Sequence, residues 1–160
     1  MSDLPPTLDD WLEAINAALG TSFEPVAYGQ LNLEFESGMR VGVDFPDDAT
    51  SYTIYAPIGM LDGSATLPRL LLALQLNLYQ KGTAGGVIGL DMESGTIVYS
   101  FAYPVAHSSP ELLAQQIDDF AAHAARLATE LERAASAPDD VDVDIDGLAQ
   151  SLGMETADEA

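Results

Sequence analysis

Apolar positions along the chain switch between helical and strand periods four times, and each switch opens a new helix or run of strands. Leu8, Trp11, Leu12, Ile15 and Leu19 recur at three- and four-residue steps, which predicts a first helix over residues 8–19. Thr7 is placed to cap it, Asp10 follows three residues on as a short capping-box partner, and Gly20 can close it at positive φ. The period then falls to two. Leu31, Leu33 and Phe35 alternate with Asn32, Glu34 and Glu36. After a turn at Ser37-Gly38, Val41, Val43 and Phe45 alternate with Gly42 and Asp44. A third strand over residues 52–57 alternates less cleanly, because Tyr52, Ile54 and Tyr55 are all large. The short connections between these runs favour antiparallel meander pairing.

A second helix is predicted over residues 67–81, with Thr66 as its cap and Gly82 as its terminator. Leu70, Leu71, Leu72, Leu74, Leu76, Leu78 and Tyr79 cover nearly its whole circumference. A helix apolar all round must be buried all round. In a domain of this size that means the sheet on one side and another subunit on the other. Two further strands, residues 86–92 and 96–103, form a hairpin through Glu93-Ser94-Gly95. The last helix begins at Ser108 or Ser109, with Pro110 in its first turn. Its seam of Leu113, Ile117, Phe120, Ala124, Leu127 and Leu131 fades near Ala135. The fold class is therefore α+β: a twisted antiparallel sheet of about five strands and three helices, in the order α-β-β-β-α-β-β-α.

Charge alters this picture at one end. The chain has 160 residues, with 26 acidic side chains against five Lys and Arg, for a net charge of −21. Eight of the acids and none of the bases follow Arg133, so residues 1–135 read as the folded domain and 136–160 as a disordered acidic tail. The missing basic patch argues against nucleic acid and against anionic membranes as partners. No Cys is present, which removes disulfides, thiolate catalysis and Cys-type zinc sites and fits a reducing cytoplasm. Residues 1–6 have neither a basic nor an apolar region of the signal-peptide kind, so no export signal is expected. The apolar run over 67–79 is too short to span a bilayer.

Catalytic and metal chemistry find little support. His107 and His123 have no serine-elbow sequence beside them, and no paired carboxylates stand out, so no enzyme and no cofactor are expected. The glycines of Gly82-Thr83-Ala84-Gly85-Gly86-Val87-Ile88-Gly89 follow a helix and enter a strand, the reverse of a phosphate loop. They read as helix termination and close packing. Asp142-Val143-Asp144-Ile145-Asp146-Gly147 matches the start of a calcium loop, but its twelfth position is Gly153 where a bidentate acid is needed. Weak, nonspecific cation attraction is the expectation there, and no metal site.

The element order and the block LLLALQLNLYQKGTAGGVIGLDMESGTIVYSFAYP together resemble the class I type III secretion chaperones, the family of CesT and SycE. Asn77, Gly82, Thr83, Gly85, Gly86, Gly89, Leu90, Asp91 and Pro104 stand where that pattern has them, and the likeness runs over residues 8–135. The resemblance implies a sheet packed by the first and third helices. It implies a cytoplasmic bacterial homodimer built around the second helix, with Leu71, Leu72, Leu76, Tyr79 and Ile88 at the interface. It implies further an ATP-independent chaperone that binds the N-terminal region of an effector protein and keeps it soluble and secretion-competent. The effector segment would lie extended, entering apolar patches and adding a strand at a sheet edge. Leu31, Leu33, Phe35, Val43 and Ile54 are the candidate patch residues. Two other readings compete: the same fold in a regulatory or interaction role outside secretion, and an acidic mimic of nucleic acid that inhibits a basic protein. A mimic would lose its partner steeply as salt rises, whereas apolar contacts would weaken far less.

Overall fold

A computed structural model describes residues 8–19, 29–45 and 50–136. The predicted Thr7 cap, the Gly20 terminator, the acidic tail and the calcium-like loop lie outside the described residues. Within them the element order is α1 (Leu8–Leu19), β1 (Gln30–Glu34), β2 (Arg40–Asp44), β3 (Ser51–Met60), α2 (Thr66–Asn77), β4 (Val87–Asp91), β5 (Thr96–Pro104) and α3 (Pro110–Ser136). This is the predicted α-β-β-β-α-β-β-α order. The five strands form one antiparallel sheet in the order β1-β2-β3-β5-β4.

Alternation along the strands sets one apolar face against the helices. Leu31 and Leu33 pair with Val43 and Val41, and Tyr52, Ile54 and Ala56 pair with Tyr103, Phe101 and Tyr99. All of these lie on the helix-covered face, and most are fully buried. The α3 seam of Leu113, Ile117, Phe120, Ala124, Leu127 and Leu131 is buried along its whole length against them. Each such large side chain removed from water contributes about 2 kcal/mol. Ser109 starts that helix: its hydroxyl accepts the Leu112 N–H at 3.2 Å. At the other end of the sheet Trp11 of α1 meets Phe45 edge-on at 5.3 Å, and Phe45 stacks on Tyr52.

Three boundaries differ from expectation. The third strand runs to Met60 rather than stopping at Pro57. Pro57 is accommodated because the register shifts between Pro57 and Gly59, a bulge at which a missing N–H costs no regular ladder bond. The second helix ends at Asn77, four residues short of the predicted Lys81. Past it the chain runs through Leu78–Gln80, with Tyr79 and Gln80 in the left-handed region. At the start of this helix Thr66 is its first residue rather than its cap. A 3-10 turn over Gly63–Ala65 feeds straight into it, and Ala65 holds the cap position without a side-chain bond.

Candidate functional site

The second helix presents two faces of opposite fate. Arg69 and Ala73 are buried, and Leu72 and Leu76 pack against the core. Leu67, Leu71, Leu74 and Leu78, spaced four, three and four residues apart, form one stripe that remains in solvent. Leu74 is 68% exposed, and Tyr79, just past the helix, is 82% exposed. Val87 on β4, Met60 at the end of β3 and Met92 in the β4–β5 turn are exposed as well. Burial on every side, as its sequence demands, is thus not achieved within one chain.

This division sorts the residues expected at the interface by their exposure in one chain. Leu71 and Tyr79 do point outward, but Ile88 is 6% exposed and belongs to the core, and Leu72 and Leu76 face the domain. Leu67, Leu74, Leu78 and Val87 are outward residues beyond those expected at the interface. The four-three spacing of Leu67, Leu71, Leu74 and Leu78 was the available signal. It was masked by leucines on the opposite face.

The expected partner patch is corrected in the same way. Leu31, Leu33, Val43 and Ile54 are core residues beneath the helices. Alternation assigns them to one common face but says nothing about whether helices cover that face. Phe35, just beyond β1, is half-buried and is the one member of the set that reaches the surface. Its N–H donates to the Met39 carbonyl at 2.9 Å, closing the β1–β2 hairpin. An open recess of about 280 Å³ lies beside that hairpin, lined by Met39, Arg40, Pro57, Ala125 and Ala128 among others. On the opposite sheet face a larger groove of about 420 Å³ runs past Asn32, Glu34, Arg40 and Tyr55. Tyr55 lies directly over Gly42, where a Cβ would stand 2.2 Å from its ring. Burial, and then the nearby Asp44 carboxylate, push the Tyr55 phenol up.

The two sheet edges are unlike. On β4 the Asn77 carboxamide occupies the outer edge, donating to the Ile88 carbonyl and accepting its N–H. Among the described residues no strand pairs with the outer edge of β1.

Between α2 and β4 the glycine-bearing turn is tied down at several points. Thr83, fully buried, donates its hydroxyl to the Gly86 carbonyl at 2.7 Å. Tyr99 donates to the Thr83 carbonyl at 2.8 Å, and Arg126 to the Gly82 carbonyl at 3.0 Å. Gly85 adopts φ +94, and Gly86 lies so close to the Tyr99 ring that a Cβ would stand 2.4 Å from it. These contacts are those of a packing device. The His123 ring lies tilted against Tyr99 at 5.4 Å, and burial followed by the Arg126 guanidinium holds its pKa below the ordinary value. His107 is exposed. Among the described residues no group of three or more His, Asp or Glu side chains is arranged to hold a metal ion, and no helix is long and apolar enough to cross a membrane.

The model of the Tir chaperone protein (CesT) family matches residues 11–128. No curated protein matches the sequence. Several solved structures share the fold. A chain of the ExsC-ExsE complex is 16% identical, with a TM-score of 0.64 over 81% of this chain and 97% of its own. The Yersinia pestis type III secretion chaperone SycH, solved with a stable fragment of YscM2, gives 19% identity and a TM-score of 0.56, over 76% of this chain and 99% of the other. The heterodimeric complex ExoU-SpcU from the type III secretion system of Pseudomonas aeruginosa gives 15% and 0.57, over 75% and 96%. At these identities the likeness is one of fold.

Proposed function

The chain belongs to the Tir chaperone protein (CesT) family, the type III secretion chaperones, and from that premise we propose that it is a homodimer that holds the N-terminal region of an effector protein before export. Its place is the bacterial cytoplasm, and it acts by binding alone, without ATP. The observation that carries this reading is the stripe Leu67, Leu71, Leu74 and Leu78, continued by Tyr79, left in water on a chain of net charge −21. An apolar row of that kind on one helix is an interaction surface rather than ordinary exposed apolar area. It suits a second copy of the same helix, because a two-fold contact needs only a self-complementary patch.

Cargo binding would use other parts of the domain. With the β4 edge taken by Asn77, an extended segment has the β1 edge, at Gln30, Asn32 and Glu34, on which to add as a strand. The recess beside Met39 and Ala125, near Phe35, would then take an apolar side chain of the same segment. The acidic surface keeps the apolar patches of separate molecules apart by repulsion.

Co-expression with a candidate effector tests this. The expected result is a stable complex that shields an effector segment near its N-terminus from protease, with or without ATP. A protein that sediments only as a monomer and captures no secreted substrate would overturn the proposal.

A further inference from the structure

Arg69 is the one charged residue of α2 and lies on its inward face, 5% exposed, in a chain with only five Lys and Arg. Its guanidinium reaches three separate parts of the fold. One terminal nitrogen donates to the Met60 carbonyl at the end of β3 at 2.7 Å and to the Asp62 carboxylate in the following loop. The other donates to Glu132 near the C-terminal end of α3 at 2.9 Å. Its Nε is buried and has no hydrogen-bond partner among the described residues.

As a source of stability this arrangement is poor. A guanidinium taken out of water loses hydration that its partners only partly replace, and one donor here is left with nothing. Both carboxylates are well exposed, at 69% and 67%, and would be solvated without it. An apolar side chain of similar length would fill the same space at no such cost. What the guanidinium does supply is direction. Its planar fork donates to oxygens only along fixed lines, whereas leucine packing is non-directional. The helix it belongs to has leucines on nearly every side, so a rotation about its axis would exchange one set of buried leucines for another at little cost. Hydrophobic burial alone does not choose between those rotations.

We propose that Arg69 is the positioning residue of the dimer face. Its hold on Met60, Asp62 and Glu132 sets the rotation of α2 and thereby decides that Leu67, Leu71, Leu74 and Leu78 point away from the domain. The inference rests on the dimeric reading given above.

Sedimentation of the full chain as wild type, Arg69→Met, Arg69→Lys and Glu132→Gln, beside thermal unfolding at concentrations where each is monomeric, tests it. Arg69→Met is expected to unfold at the wild-type temperature or above and yet to weaken dimerisation by about tenfold or more. Glu132→Gln should weaken it by a few-fold, and Arg69→Lys should fall between wild type and Met, since an ammonium keeps the charge but not the fork. Backbone hydrogen exchange over residues 66–77 should quicken in the variants while β3 stays protected. Wild-type affinity in the Met and Gln variants would overturn the inference and leave the dimer intact. A loss of affinity matched by an equal loss of monomer stability would also overturn it, by reducing Arg69 to a fold-stabilising residue. If Arg69→Met does not fold, Glu132→Gln decides the matter alone, because its side chain is exposed. A wild type that remains monomeric at every concentration would instead refute the dimer, and the inference with it.

Discussion

The Asn77 side chain reads the backbone of Ile88 as a neighbouring strand would: its amide donates to the Ile88 carbonyl and its oxygen accepts the Ile88 N–H, both at 2.8 Å. One residue thus ends a helix and covers a sheet edge at Ile88. Asn77→Ala should lower stability by about 2 kcal/mol, as two partly buried backbone groups lose their partners. Asn77→Asp should fall about as far, because its carboxylate faces the Ile88 carbonyl without a donor. Urea denaturation checks both. An opened β4 edge should also show as aggregation on heating.

Two glycines of the same sequence block should respond in opposite ways. A Cβ on Gly86 would stand 2.4 Å from the Tyr99 ring and 2.8 Å from the Ser100 carbonyl, whereas one on Gly89 meets nothing within 4 Å. Gly86→Ala is expected to cost about 1–3 kcal/mol through overpacking. Gly89→Ala should stay within about 0.5 kcal/mol of wild type. Denaturation midpoints at equal slope measure the difference.

Alkaline stability should carry the mark of Tyr99. Burial, then the neighbouring Tyr103, push its phenol up to about 12, and the protonated phenol is the donor to the Thr83 carbonyl. A group that holds its proton more tightly when folded contributes stability below its unfolded value near 10, lost as pH rises towards about 12. Tyr52 and Tyr103 are shifted upward too, chiefly by burial, and add in the same direction. The melting temperature should therefore drop over that window, and Tyr99→Phe should remove part of the drop while lowering stability at neutral pH.

The outward leucines should be separable from the inward ones. Leu74→Glu and Leu78→Glu place a carboxylate on exposed positions and should leave the monomer's stability nearly unchanged. Each should convert the proposed dimer to monomer, read by light scattering on a sizing column. Leu76→Ala, one face away, should lower stability by about 2 kcal/mol, because that side chain packs against the core.

These contrasts mark how far the residues alone could be read. Element order and type were legible because the apolar period differs between helix and strand. The α3 seam is buried at every position its spacing named, and α1 spans Leu8–Leu19 as expected. The ends of elements were legible only where the signal is local, as at Ser109 with Pro110. They were missed where a distant partner intervenes: the Asn77 side chain reaches from the last position of its helix to Ile88, and Pro57 survives in β3 because β3 carries an extra residue against β5 between Pro57 and Gly59. The candidate patch fared least well. Leu31, Leu33, Val43 and Ile54 share a face by alternation, and the same alternation would hold whether helices or a partner covered it.

Composition and periodicity by themselves therefore determined the fold class, the acidic balance and the need of the second helix for more cover than one domain provides. These depend on residue type and short-range spacing, which a linear chain carries in full. Only the tertiary structure decided which leucines face outward, which sheet edge is closed and why one arginine is buried among them. Those choices depend on directional contacts between residues far apart in the chain, from Arg69 to Glu132 and from Asn77 to Ile88, and hydrophobic pattern has no term for direction.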